Sequence, residues 1–385
     1  MTPWLAAARA VGVEVASRHA DDVDRRARFP AEAFAALKRE RLLGIAIPKS
    51  QGGAGAGIAD VVTVCHELGQ RCAATAMIYA MHQIQVACIV RHAGDNAWLK
   101  DFLKRVAGEQ LLLASATSEA GVGGDVRSSI CAVEEQNGRF KLTKEATVIS
   151  YGAEADGILV TARRTPRSPA SDQVIVVVPK MGYQLEQESE WDTLGMRGTC
   201  SNGYQLRAGG EMAQVVPVSY AEVSAMTMLP VSHLVWSALW LGIATDAVAR
   251  TRGYVRAQAR KKGGAPSSAA RLAEASSQLQ LMKANVVGSL RQYEAALGSE
   301  DDIAAPAFAV AMNNLKTGTS QMAVQVINQC LLVSGLAGYR NDSPCSLGRH
   351  LRDIHSAALM VNNDRILANT GNLLMALRED SGLLE

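Results

Sequence analysis

The 385-residue chain is predicted to have an α+β multidomain fold: a helical domain at residues 1–110, a β-barrel or β-sandwich domain at 111–217 and a four-helix bundle at 218–385. Three observations support this fold class. Apolar residues recur at helical spacing at both ends of the chain, whereas the middle part alternates between turns. Hydrophobic residues make up 48% of the sequence, which is ample for the cores. The length itself favours two or three domains.

The N-terminal domain is predicted to be entirely helical. Pro30 stands near the start of a helical segment at Phe29–Leu43, and the glycine-rich loop at Ile47–Gly55 interrupts the pattern. Helix resumes at Ile58–Leu68. A further helix at about 73–92 has apolar side chains spaced for burial, namely Met77, Met81, Ile84 and Cys88.

Turn residues and short apolar runs indicate strands in the middle domain. The Asn137-Gly138 pair lies between two strand-like segments and predicts a tight hairpin. Strands are also expected at Gly157–Thr161 and Val174–Val178, on either side of a proline- and serine-rich loop at 165–172. Another turn is expected at Leu194–Thr199.

The last part of the chain returns to helical periodicity. Trp236 and Trp240 are spaced i, i+4 and are predicted to pack in the core rather than to form a cofactor box. Long helices joined by short links predict a bundle. The expected helices lie at about 231–260, 267–297, 303–334 and 347–378.

Composition excludes several classes of function. The net charge of +2 and the lack of a Lys/Arg block argue against a nucleic-acid surface. The seven cysteines form no C-x-x-C pair, so neither a zinc site nor a redox dithiol is expected, and a reducing cytoplasm is the expected location. No signal peptide is expected at Met1–Trp4, and apolar runs such as Leu234–Ala244 are too short to span a bilayer, so no membrane partner is expected either.

The segment Thr117–Asp125 is the main candidate for ligand binding. Gly121, Gly123 and Gly124 lack a Cβ atom, so a ligand can approach the backbone closely there. Thr117 and Ser118 add short hydroxyls beside exposed amides. Such a turn suits ring carbonyls or phosphates, although a plain surface turn between domains has a similar composition.

The layout of helices, β domain and helical bundle resembles that of the acyl-CoA dehydrogenase superfamily along nearly the whole chain. Each motif alone is weakly specific, but four of them occur in the family's order. The four segments are Leu43–Pro48 with Gly52-Gly53, Ser118–Asp125, Leu194–Thr199, and Gly335, Gly338, Tyr339 and Pro344 with Arg352-Asp353.

This resemblance implies a flavin between the β domain and the bundle. Thr117 and Ser118 would contact the edge of the isoalloxazine ring, and the hydroxyl and amide of Ser150 would lie near its reactive nitrogen. Fixed donors at that edge tune the flavin's potential. FAD is expected first, with FMN or reduced flavin as alternatives, in a homotetramer. The remaining expected cofactor ligands are Gly123, Gly124, Gly335, Arg256 and Arg260.

The sequence departs from the family's dehydrogenases at their carboxylate base. The usual position, about nine residues beyond Arg352, is Val361, and the minority position is near Arg250. Two side chains are the candidate replacements. Asp364 would lie one turn along the same helix face, roughly 4.5 Å further on, and His355 would point near that face only approximately.

Other departures concern the cofactor. Val148 replaces the tryptophan that usually covers the flavin, and Ala120 and Gly124 replace the loop's proline and second hydroxyl. The segment Arg260–Gly264 stands where the family has the R-x-x-F-G sequence that clamps the adenine half of FAD in a neighbouring subunit.

Three functions follow from the resemblance. The first expectation is a dehydrogenase that oxidises an acyl-CoA or acyl-carrier-protein thioester and passes electrons to a partner protein. The second is a monooxygenase supplied with reduced flavin by a flavin reductase, with His82, Ser150 and His355 as candidate residues near the flavin. The third is a non-catalytic flavin-fold protein. His82 and Arg197 are the candidate substrate contacts, each with a structural alternative: a packed histidine and an ion pair within the β domain.

Overall fold

The computed structural model describes residues 2–264 and 266–377. It confirms the predicted fold class, because helices precede and follow a middle region of strands. The N-terminal part contains a long helix, α5, whose predicted limits of about 73–92 are confirmed. The six helices of this part are α1 (Pro3–Val11), α2 (Ser17–Arg25), α3 (Ala31–Arg39), α4 (Ile58–Gly69), α5 (Ala73–His92) and α6 (Ala97–Glu109), with a π-helical turn at Gly12–Ala16 between α1 and α2.

The middle region forms two sheets. The first has the order β1-β4-β5, with β1 parallel to β4, and the second has the antiparallel order β2-β3-β7-β6. The predicted hairpin is confirmed: β2 and β3 flank Asn137 and Gly138, which have φ angles of +53° and +75°. The strands are β1 (Leu113–Ala116), β2 (Glu134–Gln136), β3 (Arg139–Ala146), β4 (Gly157–Arg163), β5 (Gln173–Pro179), β6 (Tyr183–Ser189) and β7 (Gly203–Glu211).

The C-terminal region is built on three long helices, and Trp236 and Trp240 are buried in its core as predicted. A short helix, α7 (Tyr220–Val223), precedes them. The remaining helices are α8 (Leu229–Lys262), α9 (Ala269–Ala296), α10 (Glu300–Ala304), α11 (Pro306–Ser334), α12 (Leu336–Tyr339), α13 (Gly348–Ile354), α14 (Ser356–Leu359) and α15 (Asn363–Leu374).

Among the described residues, two helical stretches have the length and composition to cross a membrane. They are α5 and the stretch Tyr220–Lys262, which extends well beyond the apolar run Leu234–Ala244. In the fold, 83% and 89% of their apolar windows are buried, as is usual for core helices of a protein interior.

The single helix predicted at 347–378 is wrong, because the chain is broken there into α13, α14 and α15. Val361 has a φ angle of +47°, which a helix does not allow, and the side chain of Asn362 caps the new helix by accepting from the Asp364 amide at 2.7 Å. Lys316 on α11 stabilises this bend. Its Nζ donates to the Val361 carbonyl at 2.7 Å and to Asn363 Oδ1 at 2.6 Å.

Candidate functional site

The candidate site begins where β1 ends. Ser118 Oγ donates to the Val148 carbonyl at 3.0 Å and accepts from the Val148 amide at 3.2 Å. This pair of hydrogen bonds holds the end of the β1 segment against the segment 148–150. Thr117 and Ser118 therefore lie beside the segment 148–150, which contains Ser150.

The glycine loop that follows has a conformation that requires glycine. Gly121, Gly123 and Gly124 have φ angles of +83°, +61° and +74°. The guanidinium of Arg365, in the first turn of α15, donates to the carbonyl oxygens of Gly123 and Gly124. A Cβ atom on Gly124 would lie 3.2 Å from Arg365 Nη2. The loop is thus joined directly to the helix that carries Asp364.

A buried ion pair that sequence reasoning missed anchors the start of this loop. Glu119 accepts from Ser129 Oγ at 2.6 Å, from the Cys131 amide at 2.6 Å and from Lys144 Nζ at 3.2 Å. Lys144 also donates to the Thr161 carbonyl at 2.8 Å. Burial alone would raise the pKa of Glu119, but Lys144 and these hydrogen bonds hold it below its ordinary value. The inward register of Lys144 on β3 was the available signal.

Ser150 belongs to a chain of three hydroxyl groups. Its Oγ lies 2.8 Å from Ser201 Oγ, which lies 2.8 Å from Thr199 Oγ1, and Thr199 Oγ1 donates to the Met196 carbonyl at 2.8 Å. Thr199 is part of the Leu194–Thr199 motif, but no sequence signal linked it to Ser150. These hydrogen bonds fix the position of the Ser150 side chain.

The bend at Val361 carries no side chain that accepts a proton, and both candidate replacements are exposed. His355 lies at the junction of α13 and α14, and Asp364 lies in the first turn of α15. The expectation that Asp364 continues the helix face of position 361 is wrong, because the helix ends before Val361 and a new one begins after it. Neither side chain is enclosed by the described residues of the chain.

His82 is corrected from a substrate contact to a structural residue. It is fully buried, its Nε2 donates to the Leu43 carbonyl at 2.8 Å, and its Nδ1 accepts from the Leu113 amide at 3.0 Å. Burial lowers its pKa to about 4, so the ring is neutral and both nitrogens are used. It joins α5 to the loop before α4 and to β1, and it has no free nitrogen for a substrate.

Arg197 forms an ion pair, which was the structural alternative to a substrate contact for this residue. Its Nη1 bonds Asp192 Oδ1 at 3.1 Å and the Thr193 carbonyl at 2.8 Å, and its Nε donates to the Asp24 carbonyl at 3.0 Å. It lines a cleft of about 870 Å³ between α2, the 193–197 loop and α13. These contacts account for the residue structurally, and its role toward a substrate stays a prediction.

The remaining expected ligands lie at helix ends. Arg256 and Arg260 are exposed in the last turns of α8, and Gly335 ends α11 with a φ angle of +53°. Within the described residues, no hydrogen bond or ion pair joins them to the Thr117–Asp125 loop. Their expected role as cofactor ligands, with Arg256 and Arg260 as the phosphate-binding candidates, stays a prediction.

The residues at the end of β1 fit the polar edge of a flavin. Among the described residues, the amide N–H groups of Ser118, Gly123, Gly124 and Ser150 have no protein acceptor. Unpaired amide groups in such a turn are donors for ring carbonyls or phosphate oxygens. A cofactor with both kinds of acceptor, such as FAD or FMN, therefore matches the donor set.

Comparison with known proteins identifies relatives of several activities. The chain is 29% identical to acryloyl-CoA reductase (NADH) of Anaerotignum propionicum over 42% of its own length, and it spans 41% of that protein. It is 25% identical to the amino sugar nitrososynthase DnmZ of Streptomyces peucetius over 88% of its own length and 84% of the relative's.

The fold is also that of a solved monooxygenase. The FMN-bound structure of TdsC, the dibenzothiophene monooxygenase of Paenibacillus sp. A11-2, superposes with a TM-score of 0.82 over 98% of both chains at 19% identity. Two family models match the chain itself: residues 4–110 match the N-terminal domain of acyl-CoA dehydrogenases, and residues 234–364 match their C-terminal domain. The chain therefore belongs to the acyl-CoA dehydrogenase family.

Proposed function

We propose that this protein is a flavin-dependent monooxygenase that uses reduced flavin and molecular oxygen to oxygenate a small organic substrate. One observation carries the proposal: the bend at Val361 offers no proton acceptor, while His355 and Asp364 are exposed to solvent. A dehydrogenase of this family needs an enclosed base to remove the α-proton of its substrate. An oxygenation has no such requirement at that position.

The reaction balances with one oxygen molecule and a two-electron donor. Reduced flavin, when bound, supplies the two electrons by which one oxygen atom enters the substrate and the other becomes water. Three groups of residues would hold the edge of the flavin. Ser118 orders the turn through Val148, Ser150 contributes an amide donor and a hydroxyl, and Arg365 joins the glycine loop to α15.

The relatives support an oxygen-dependent activity without deciding it. The sequence of a nitrososynthase aligns with most of the chain, and the structure of a monooxygenase has the same fold over nearly the whole length. A flavin, FAD or FMN, is the cofactor class of the family and suits the unpaired amide donors at the site. A flavin reductase is the partner that this proposal requires.

A second candidate function is the oxidation of an acyl thioester with Asp364 as the base. Its support is the position of Asp364, which directly precedes the arginine bonded to Gly123 and Gly124. The carboxylate therefore lies in the helix turn that contacts the glycine loop. In this case an acyl-CoA or acyl-carrier protein is the substrate, and an electron-transfer protein takes the electrons.

Two assays on the purified chain separate these functions. With FMN or FAD and a flavin reductase, we expect oxygen to be consumed and substrate to be oxygenated only when reduced flavin is supplied. Under nitrogen, we expect acyl-CoA thioesters of several chain lengths to leave bound oxidised flavin unbleached. Rapid anaerobic bleaching by any of them would overturn the proposal in favour of the second function.

Replacement of the candidate base makes the distinction sharper. If Asp364 is the base, Asp364→Asn cuts thioester-dependent bleaching by about 100-fold or more. The proposal predicts instead that Asp364→Asn leaves the rate of substrate oxygenation within about twofold of wild type. Asp301→Asn is the matched control, because Asp301 is likewise an exposed carboxylate in the first turn of a helix, α10.

A further inference from the structure

The hydroxyl groups of Ser150, Ser201 and Thr199 have only one consistent arrangement of protons. The contacts Ser150–Ser201, Ser201–Thr199 and Thr199–Met196 carbonyl are each 2.8 Å long. Each is a hydrogen bond and requires one proton between its two oxygens. A carbonyl oxygen cannot donate, and each hydroxyl has a single proton. Three protons must therefore fill three contacts.

Counting from the carbonyl fixes every donor. Thr199 must give its proton to the Met196 carbonyl, so the contact between Thr199 and Ser201 must be filled by the Ser201 proton. Ser201 then has none left, and Ser150 must donate to it. The reverse arrangement would place two lone pairs against each other at 2.8 Å between Ser201 and Thr199. Burial of Thr199 and Ser201 leaves little room for water to relax this order.

The consequence is that Ser150 faces the site with an acceptor and a donor. Its hydroxyl proton points back toward Ser201, so only oxygen lone pairs are available in front. The neighbouring amides of Ile149 and Tyr151 donate to Asn202 and Thr199 carbonyls at 2.9 and 2.8 Å. The amide of Ser150, between them, has no acceptor among the described residues.

We propose that Ser201 and Thr199 are positioning residues that make this site prefer reduced over oxidised flavin. Reduced flavin has an N–H at ring position 5 beside the carbonyl at position 4, which complements an oxygen acceptor beside an amide donor. Oxidised flavin has a bare nitrogen at position 5, and its lone pair would face that of the Ser150 oxygen. The proposal rests on the proposed function, since it concerns the flavin that the oxygenation requires.

The expected size of the preference follows from one hydrogen bond. Making this bond in one redox state and not in the other is worth on the order of tenfold in relative affinity. For a two-electron couple, a tenfold ratio corresponds to about 30 mV. This hydrogen bond should therefore raise the midpoint potential of the bound flavin by about 30 mV.

The test measures binding and potential rather than turnover. Dissociation constants for oxidised and reduced FMN and FAD are measured anaerobically, together with the midpoint potential of the bound flavin. Thr199→Val removes the fixed end of the hydroxyl chain, so Ser201 can donate to Ser150 and free the Ser150 proton. We expect Thr199→Val and Ser201→Ala each to lower the tenfold preference to threefold or less.

Conservative and matched variants separate this effect from a folding defect. Thr199→Ser keeps the hydroxyl and should restore the wild-type preference. Thr251→Val removes a buried threonine hydroxyl that donates to the Ala247 carbonyl at 2.8 Å in α8, and it should leave the potential unchanged. If the wild type, Thr199→Val and Ser201→Ala all bind flavin with the same midpoint potential, the inference is wrong but the proposed function is unaffected. Failure of the wild type to bind flavin in either state would overturn the proposed function and the inference together.

Discussion

At the scale of single residues, Lys316 is the clearest case of a charge placed by tertiary structure. The side chain is fully buried on α11 and has two acceptors, the Val361 carbonyl and Asn363 Oδ1, neither of which is charged. Burial lowers its pKa to about 8. A neutral amine has two N–H groups, so both acceptors are satisfied in either protonation state.

This placement predicts a specific pH dependence of stability. In the folded chain Lys316 loses its proton near pH 8, whereas in the unfolded chain it keeps it until about pH 10.4. Between these values the unfolded state binds more protons, so the free energy of unfolding rises with pH. We expect the free energy of unfolding of the wild type, minus that of Lys316→Met, to increase from pH 8 to 10. Urea titrations check this, and a constant difference would contradict it.

Residue-scale roles were the hardest to predict from the sequence. The burial of His82 and its hydrogen bonds with the backbone of Leu43 and Leu113 depend on other segments of the chain. The link between Ser150 and Ser201 crosses 51 positions. Glycine-loop and hydroxyl positions were predicted because their chemistry is local, whereas the partners of a side chain are set by packing.

At the scale of elements, local signals predicted some features and long-range contacts decided others. The hairpin at Asn137-Gly138 was predictable because the turn requires positive φ angles that this pair readily adopts. The break at Val361 was not predictable, because it has no glycine or proline and is stabilised by Lys316 from another helix. A valine at a φ angle of +47° is strained.

The strain at Val361 can be measured by replacement with glycine. Glycine adopts positive φ angles without cost, and a β-branched residue there costs on the order of 1–3 kcal/mol. We expect Val361→Gly to leave the free energy of unfolding unchanged or to raise it. Val287→Gly is the matched control, since both valines are 36% exposed and Val287 lies within α9.

The control should be destabilised by roughly 0.5 kcal/mol or more, because glycine weakens a helix interior. Chemical denaturation of the two variants, measured side by side, gives the comparison. An equal loss of stability in both would mean that the backbone at position 361 is unstrained.

At the scale of the whole molecule, the exposed ends of α8 and α11 suggest how copies associate. Leu332, Leu336 and Tyr339 are large exposed side chains that flank Gly335. Exposed apolar side chains that lie close together can form part of a protein interface. The family resemblance implies a homotetramer, and association through these side chains would place Gly335 at an interface between copies.

We therefore expect the protein to be a homotetramer in solution. Leu336→Lys should weaken the association and so lower the molar mass of the assembly. Light scattering after size-exclusion chromatography measures this directly. Met181→Lys is the control, since Met181 is an exposed apolar side chain of the β domain, far along the chain from Gly335. A wild-type chain that elutes as a monomer would contradict the prediction.

The bond between Arg365 and the glycine loop has a consequence for biosynthesis. Its two ends are separated by 241 positions, so the loop leaves the ribosome long before the arginine that joins it to α15. Until then the carbonyl groups of Gly123 and Gly124 lack this partner. If this loop holds the flavin as proposed, its binding geometry is completed only after α15 has been synthesised.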